Sequence, residues 1–272
     1  MIQDISPDRL DNAYKICTPC PEDSLLFFDD AGKIYVRIQS GRICFPAAKD
    51  TTAVSTIFLF SIGKTNYFLV LTETGTELPG YEYESIRELR DRGQGKELFA
   101  AFTAWHLWKW YQDNRYCGCC GGENSLHETE RALQCTNCGR VIYPRINPAV
   151  IVGVIKEDCL LITRYRTGFA HNALVAGFTE IGETLEETVA REVMEETGIR
   201  VKNIRYYKSQ PWGMAQDILT GFFCEADGTG EIHMDQNELK YAEWVKRENI
   251  VLQPTDLSLT NEMMKQFKEN NI

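Results

Sequence analysis

Two groups of residues in this chain have the types and the spacing to do chemistry. The first is Gly177-Phe-Thr-Glu-Ile-Gly-Glu183-Thr-Leu-Glu-Glu-Thr-Val-Ala-Arg191-Glu192-Val-Met-Glu195-Glu196-Thr-Gly198-Ile199. Thr184 and Glu187 are spaced as a T-x-x-E capping box that starts a helix, and Gly198 is placed to end it. At about 100° per residue, Leu185, Val189 and Val193 make the buried stripe, and Glu192 and Glu196 fall on that stripe. Two carboxylates on an apolar face are costly unless a cation neutralises them. A hard divalent ion with oxygen ligands is the natural partner. Glu195 lies further round the helix, in an i, i+4 ladder with Glu187 and Arg191. It reads either as a surface ion-pair rung or as a functional carboxylate.

The second group is made of thiols. Cys117-Gly-Cys-Cys120 is followed, after fourteen intervening residues, by Cys135-Thr-Asn-Cys138, and a glycine follows each pair. Two such CxxC knuckles match a tetrahedral zinc site with four sulfur ligands in a structural role. Cys119 is a further thiol inside the first knuckle, which leaves the outer ligand choice open. Cys17-Thr-Pro-Cys20 has no partner pair nearby and reads as ordinary free cysteines or a redox pair.

The acidic stretch fits G-x5-E-x7-R-E-U-x-E-E-x-G-U at every fixed position, and so resembles the Nudix hydrolases. That resemblance implies hydrolysis of a nucleoside diphosphate linked to another group. It also implies Mg²⁺ or Mn²⁺ on Glu192, Glu196 and Glu195, and Arg191 orienting the cluster through Glu183. A four-cysteine ribbon ahead of the box, with Ser209-Gln-Pro-Trp212 after it, is similar to the NADH pyrophosphatase subfamily. The similarity is good over 113–272 and loose before it. By position it implies that Ala176 lends a backbone carbonyl to the metal shell, that Glu238 adds an outside carboxylate, and that Phe178 stacks on a base or nicotinamide. Glu130, Tyr143 and Thr260 then line the nucleotide site. Tyr143 has packing, and Glu238 a solvated loop acid, as the plain alternatives. Glu195 is the first candidate for general base and Glu238 the second. The array S-Q-P-W-P-F-P-x-S of that subfamily supplies the remaining substrate contacts, and here it reads Ser209, Gln210, Pro211, Trp212, Gly213, Met214, Ala215, Gln216, Asp217. Losing two prolines predicts a looser loop, and Asp217 adds negative charge near a dianionic substrate, so discrimination between NADH and NAD⁺ is expected to weaken.

The elements that must position these residues follow from patterning. Ile34–Ile38, Thr56–Ile62 and Tyr67–Leu71 read as strands, the last two joined across Gly63-Lys64. Helices are expected over 84–92 and 96–111, the second with Leu98, Phe102 and Trp105 on one face. Trp105, Trp108 and Trp110 at that spacing read as core or interface rather than base-stacking groups, and His106 as a packed histidine. After the ribbon, strands at 149–155, 159–163 and 174–176 precede the 184–197 helix. Strands at 204–208, 218–226 and 241–245 follow it, then a helix at 258–268. Strands on both sides of a central helix predict an α+β chain: a mixed-sheet α/β/α sandwich preceded by the zinc ribbon and an N-terminal mixed α/β domain. The expected divisions are 1–112, 113–143 and 144–272.

Composition narrows the partners. The 272 residues carry a net charge of −10, which argues against a general nucleic-acid coat or an anionic-membrane binder. No apolar run suggests a membrane span, and Met1-Ile-Gln-Asp-Ile-Ser-Pro has no secretory pattern; a cytoplasmic protein is expected. Between the knuckles Glu123, Glu128 and Glu130 outnumber one Arg131, whereas a phosphate-gripping ribbon should be basic. The resemblance to the NADH pyrophosphatase subfamily implies NAD(H) + H₂O → NMN(H) + AMP in a homodimer, with NAD-capped RNA or another nucleoside diphosphate derivative as the alternative substrate. A non-catalytic ribbon module is the distant rival.

Overall fold

The computed structural model describes every residue except 74, 76 and 168–170. The chain divides into two units: residues 3–145 with 212–216, and residues 1–2 with 146–211 and 217–272. Among the described residues, no helix is long and apolar enough to cross a membrane.

In the first unit, β1 (Leu10–Asp11), β2 (Ser24–Leu26), β3 (Ile34–Gln39), β4 (Arg42–Cys44), β5 (Ala53–Ile62), β6 (Thr65–Glu73) and β7 (Glu82–Glu84) precede α1 (Ile86–Arg92) and α2 (Lys96–Asp113). One sheet runs β1-β5-β6-β2 and a smaller one β4-β3-β7. The hairpin across Gly63-Lys64 is present, with Ile62 opposite Thr65. Helix α1 starts on a reciprocal capping box between Ser85 and Glu88. Helix α2 departs from its one-faced pattern. Leu98, Phe99, Ala101, Phe102, Trp108 and Trp110 are all buried, because the helix is flanked by α1, β4, β5 and β6 rather than lying on one surface. Trp108 stacks on Phe28 at 5.1 Å and Trp105 donates to the Gly32 carbonyl, so these rings belong to the core. The ribbon adds β8 (Asn124–Leu126), β9 (Leu133–Cys135) and β10 (Val141–Ile142), all antiparallel, in the order β10-β9-β8.

The second unit is one mixed sheet between two helices. It contains β11 (Asn147–Lys156), β12 (Cys159–Tyr165), β13 (Val175–Phe178), α3 (Leu185–Thr197), β14 (Arg200–Trp212), β15 (Asp217–Asp227), β16 (Leu239–Lys246) and α4 (Leu259–Lys268). The strand order is β14-β15-β11-β12-β16, with β13 also paired to β11. Strand β11 runs parallel to β15 and antiparallel to β12 and β13. Its near-continuous apolar sequence reflects burial on both faces. Val150, Val152, Val154 and Phe222 pack with Val189 and Val193 of α3. Ile151 and Phe223 face the other way, onto Leu259, Met263 and Phe267 of α4. Fully burying a side chain such as Phe222 or Phe267 contributes on the order of 1.5–3 kcal/mol. Strand β14 is longer than its apolar pattern suggested, because it is an edge strand whose Arg200, Lys202, Arg205 and Lys208 interrupt the alternation.

Candidate active site and metal centre

Helix α3 positions the acidic residues, and its ends are built from local hydrogen bonds. Thr184 Oγ1 accepts from the Glu187 amide while the Glu187 carboxylate accepts from the Thr184 amide, and Gly198 closes the helix in the left-handed region at φ 70°. Glu187 is therefore occupied by the cap and is not a rung on Arg191, as the i, i+4 ladder had implied. Arg191 instead gathers four other groups. It grips Glu183 with Nε and Nη2 at 2.5 and 2.9 Å, Glu192 at 2.8 Å, Glu195 at 3.0 Å and the Phe178 carbonyl at 3.0 Å. The guanidinium, followed by the Glu180 amide, holds the Glu183 carboxyl down at about 2. Arg191 is itself raised, chiefly by Glu183. Thr188, which sequence reasoning passed over, is buried under the same cluster and donates to Glu183 at 3.0 Å.

On the apolar side of α3 the carboxylates behave as the wheel predicted. Glu196 is 2% exposed beside Val193, Glu192 is half-buried, and Glu195 is exposed. Burial pushes the Glu196 carboxyl up to about 8, with the nearby Glu192 and Glu238 charges adding to the rise. Glu192 is raised by burial too, against the pull of Arg191. Strand β13 lies against this face. A Cβ at Gly177 would sit 1.9 Å from the Glu192 carboxyl carbon, so only glycine lets the backbone come this close. Phe178, the next residue, is 52% exposed and free to meet a flat ring.

Tyr165 was not singled out from the sequence. Its hydroxyl accepts the Ala176 amide at 3.0 Å and lies 3.0 and 3.3 Å from the two Glu196 oxygens and 3.3 Å from the Ala176 carbonyl. Alternation along β12 was the available signal. Leu161 packs on the α3 side of the sheet, and Tyr165 is four residues further, on the same face.

These residues suit a divalent cation. The donors are hard oxygens, and two of the carboxylates bear raised proton affinities that a cation would relieve. They stand open rather than closed up. Among the described residues the only group of three or more candidate ligands with all donor atoms within 4.8 Å is Cys117, Cys120, Cys135 and Cys138. There the sulfurs of Cys120 and Cys135 are 3.4 Å apart and those of Cys117 and Cys138 3.7 Å. Backbone amides point at the sulfurs from Cys119 and Cys138. Cys119 is outside this four-sulfur cluster and exposed. Cys17 and Cys20 are both exposed.

In the ribbon, Tyr143 donates to Glu130 at 2.7 Å, so the two expected nucleotide contacts touch each other, and Tyr143 is 58% exposed. Arg131 turns inward to the carbonyls of Asn12 and Leu59 and lies over the Tyr14 ring. The one cation between the knuckles is thus unavailable to phosphate.

The 209–217 array is tightly held, contrary to the looser loop expected from its missing prolines. Gln210 is fully buried, accepting the Leu259 amide at 2.7 Å and donating to the Leu257 carbonyl at 2.8 Å. Trp212 packs edge-on against Phe102 with the Arg90 guanidinium over its ring. Gly213–Ala215 forms a 3₁₀ turn. A Cβ at Gly213 would lie 2.1 Å from the Phe102 carbonyl oxygen, a backbone atom that cannot yield, so no proline fits there. Asp217 is 5% exposed, its Oδ1 has no hydrogen-bond partner, and burial pushes its carboxyl up to about 7. The full negative charge expected at this position is therefore partly suppressed near neutrality. Thr260 sits half-buried in the first turn of α4.

Comparison with known proteins gives a consistent picture. The NUDIX domain family matches residues 145–267, and the NADH pyrophosphatase zinc ribbon domain matches 112–143. Proteins named NAD-capped RNA hydrolase NudC from Shigella dysenteriae and Escherichia coli are each 41% identical over 177 residues, 64% of this chain and 67% of theirs. A crystal structure of a NUDIX hydrolase from Nitrosomonas europaea has a TM-score of 0.51 at 21% identity, covering 57% of this chain and 91% of that one, a likeness of fold.

Proposed function

The chain belongs to the Nudix hydrolase family, in the branch with an NADH pyrophosphatase zinc ribbon, and we propose that it hydrolyses the diphosphate bond of NAD(H) to NMN(H) and AMP. The observation that carries this reading is the pair of raised carboxyls, Glu192 and Glu196, held on the apolar face of α3 beside Gly177 and an exposed Phe178. Such a pair has no structural benefit without a cation, and its neighbour is a ring that can stack on a base or nicotinamide.

Glu192, Glu195, Glu196 and Glu238, with the Ala176 carbonyl, would hold Mg²⁺ or Mn²⁺. The ion would supply Lewis-acid polarisation of the diphosphate oxygens and acidify water. Arg191 works at one remove from phosphorus: its grip on Glu183, Glu192 and Glu195 sets where those carboxylates point. Glu195, exposed and paired with Arg191, is the first candidate to take the proton from the attacking water, and Glu238 the second. The four cysteines would hold a structural zinc. Glu130, Tyr143 and the 209–217 array are assigned to nucleotide binding in a twofold homodimer. Light scattering at assay concentration should therefore give twice the mass of one chain, and a fully active protein of single-chain mass would remove the dimer from this reading.

The relatives' name favours a second substrate with the same bond, the 5′ end of NAD-capped RNA. Opening that bond needs no further chemistry. The test is a panel of NADH, NAD⁺, ADP-ribose and NAD-capped RNA with Mg²⁺ and with Mn²⁺, reading AMP, NMN(H) and 5′-monophosphate ends. Release of AMP with NMN(H) is expected. Release of free nicotinamide, or no product from any of the four with either ion, would overturn the assignment.

A further inference from the structure

We infer that Tyr165 is a positioning residue of the metal shell, a phenol that ties two ion ligands from different elements into one geometry. The inference rests on the ion-binding reading of Glu196 and Ala176 above. Glu196 comes from the last turn of α3 and Ala176 from β13. Both lie within reach of one oxygen, the Ala176 carbonyl at 3.3 Å and Glu196 Oε1 at 3.0 Å. The Tyr165 hydroxyl, arriving from the end of β12, contacts both.

Its hydrogen-bonding capacity makes the arrangement specific. A phenol has one proton to donate and can accept in return. The Ala176 N–H, at 3.0 Å, fills the accepting role and fixes the peptide next to the ligand carbonyl. The phenol proton is then directed at Glu196, whose Oε1 lies at 3.0 Å and Oε2 at 3.3 Å. A glutamate has three rotatable side-chain bonds, and the site must hold it in one rotamer. With one carboxylate oxygen tied to the phenol, the other is aimed rather than free to turn. A ligand held this way loses little freedom when the ion arrives. The position is also demanding. The pairing of β12 with β16 shifts register between Arg164 and Tyr165, and that irregularity falls at the residue that must reach Glu196.

The test compares the parent, Tyr165→Phe, Glu196→Gln and the double variant in the full chain. Mn²⁺ affinity is measured by calorimetry, alongside kcat and KM for NADH. Tyr165→Phe should weaken Mn²⁺ binding about tenfold, or about 1.4 kcal/mol. It should lower kcat by a similar factor and leave KM within about twofold. In the double variant it should add nothing to the loss caused by Glu196→Gln, because the two side chains act as one unit. A purely packing tyrosine would lower the unfolding temperature and leave Mn²⁺ affinity unchanged. Parent-like Mn²⁺ binding in Tyr165→Phe, with binding lost in Glu196→Gln, overturns the role of the phenol alone. Parent-like binding in Glu196→Gln as well overturns the ion site beneath it.

Discussion

Replacing Glu196 by Gln should abolish most turnover and at the same time make the metal-free protein more stable. The two effects have one origin. Glu196 is 2% exposed, and burial holds its carboxyl up at about 8, against 4.5 for the ordinary group. Between those values the folded chain binds more protons than the unfolded chain, so this group's contribution to stability falls as pH rises from about 4.5 toward 8. Below about 8 the metal-free fold must hold this carboxyl protonated, and above it the fold carries a buried charge; from neutral pH upward the folded state is disfavoured by up to a few kcal/mol, at the 1.36 kcal/mol that one pKa unit represents. Glutamine removes the charge, keeps the shape and can still meet the Tyr165 hydroxyl. The expected result is a higher urea midpoint for Glu196→Gln at pH 8 in buffer without added Mg²⁺ or Mn²⁺, with the difference shrinking as pH is lowered toward 5. Turnover should drop at least a hundredfold, or about 2.7 kcal/mol of barrier, because a neutral amide is a poor ligand for a hard divalent ion. Glu192→Gln should show a similar loss of rate. Activity within about threefold of the parent in either variant would contradict the metal assignment, and a fall in metal-free stability on Glu196→Gln would contradict the electrostatic account.

How much of this site was legible in the sequence depended on whether a feature is local. The α3 wheel placed Glu196 among valines, the capping box marked the first turn, and Gly198 marked the last, because each depends on residues within one or two turns. The CxxC spacing was legible for the same reason. Contacts between elements were not. Tyr165 meets Glu196 across 31 positions of chain and Ala176 across 11, and no periodicity announces either. Gly177 could be read only as a fixed position of the motif, and Gly213 only as a lost proline. Their actual role is to leave room, one for the Glu192 carboxylate and one for the Phe102 carbonyl. The missing prolines of the 209–217 array misled in the same way, since its rigidity comes from Phe102, Arg90 and the start of α4 rather than from its own residues. Glu187 shows the reverse error. Its spacing suited both a cap and an ion pair, and the two nearby donors at Thr184 outcompeted a longer reach to Arg191.

Removing zinc should unfold the ribbon, and the thiols themselves should report it. The ribbon's strands are only three, three and two residues long. Among its residues, Cys117, Ala132, Leu133 and Cys135 are buried, which is too little apolar surface to hold such strands unaided. What gathers them is the four-sulfur cluster. Without an ion these thiols are in conflict. The Gly122 amide and neighbouring thiols hold Cys120 down at about 6, while Cys138, against the pull of the Arg140 amide, is pushed up to about 12 among its sulfur neighbours. Zinc would resolve that conflict by taking all four as thiolates, and structural sites of this kind bind with about 10–16 kcal/mol of apparent free energy in isolated finger peptides. Metal analysis should find one zinc per chain. A strong chelator should raise the number of reagent-accessible thiols by four or more out of the ten in the sequence. Cys120→Ser should give insoluble or unfolded protein, whereas Cys119→Ser, outside the cluster, should keep its zinc and its solubility. Acidification should release the ion as protons compete for the sulfurs. Purified, folded protein with no zinc would refute the site, and loss of the ion on Cys119→Ser would show that the four ligands have been misassigned.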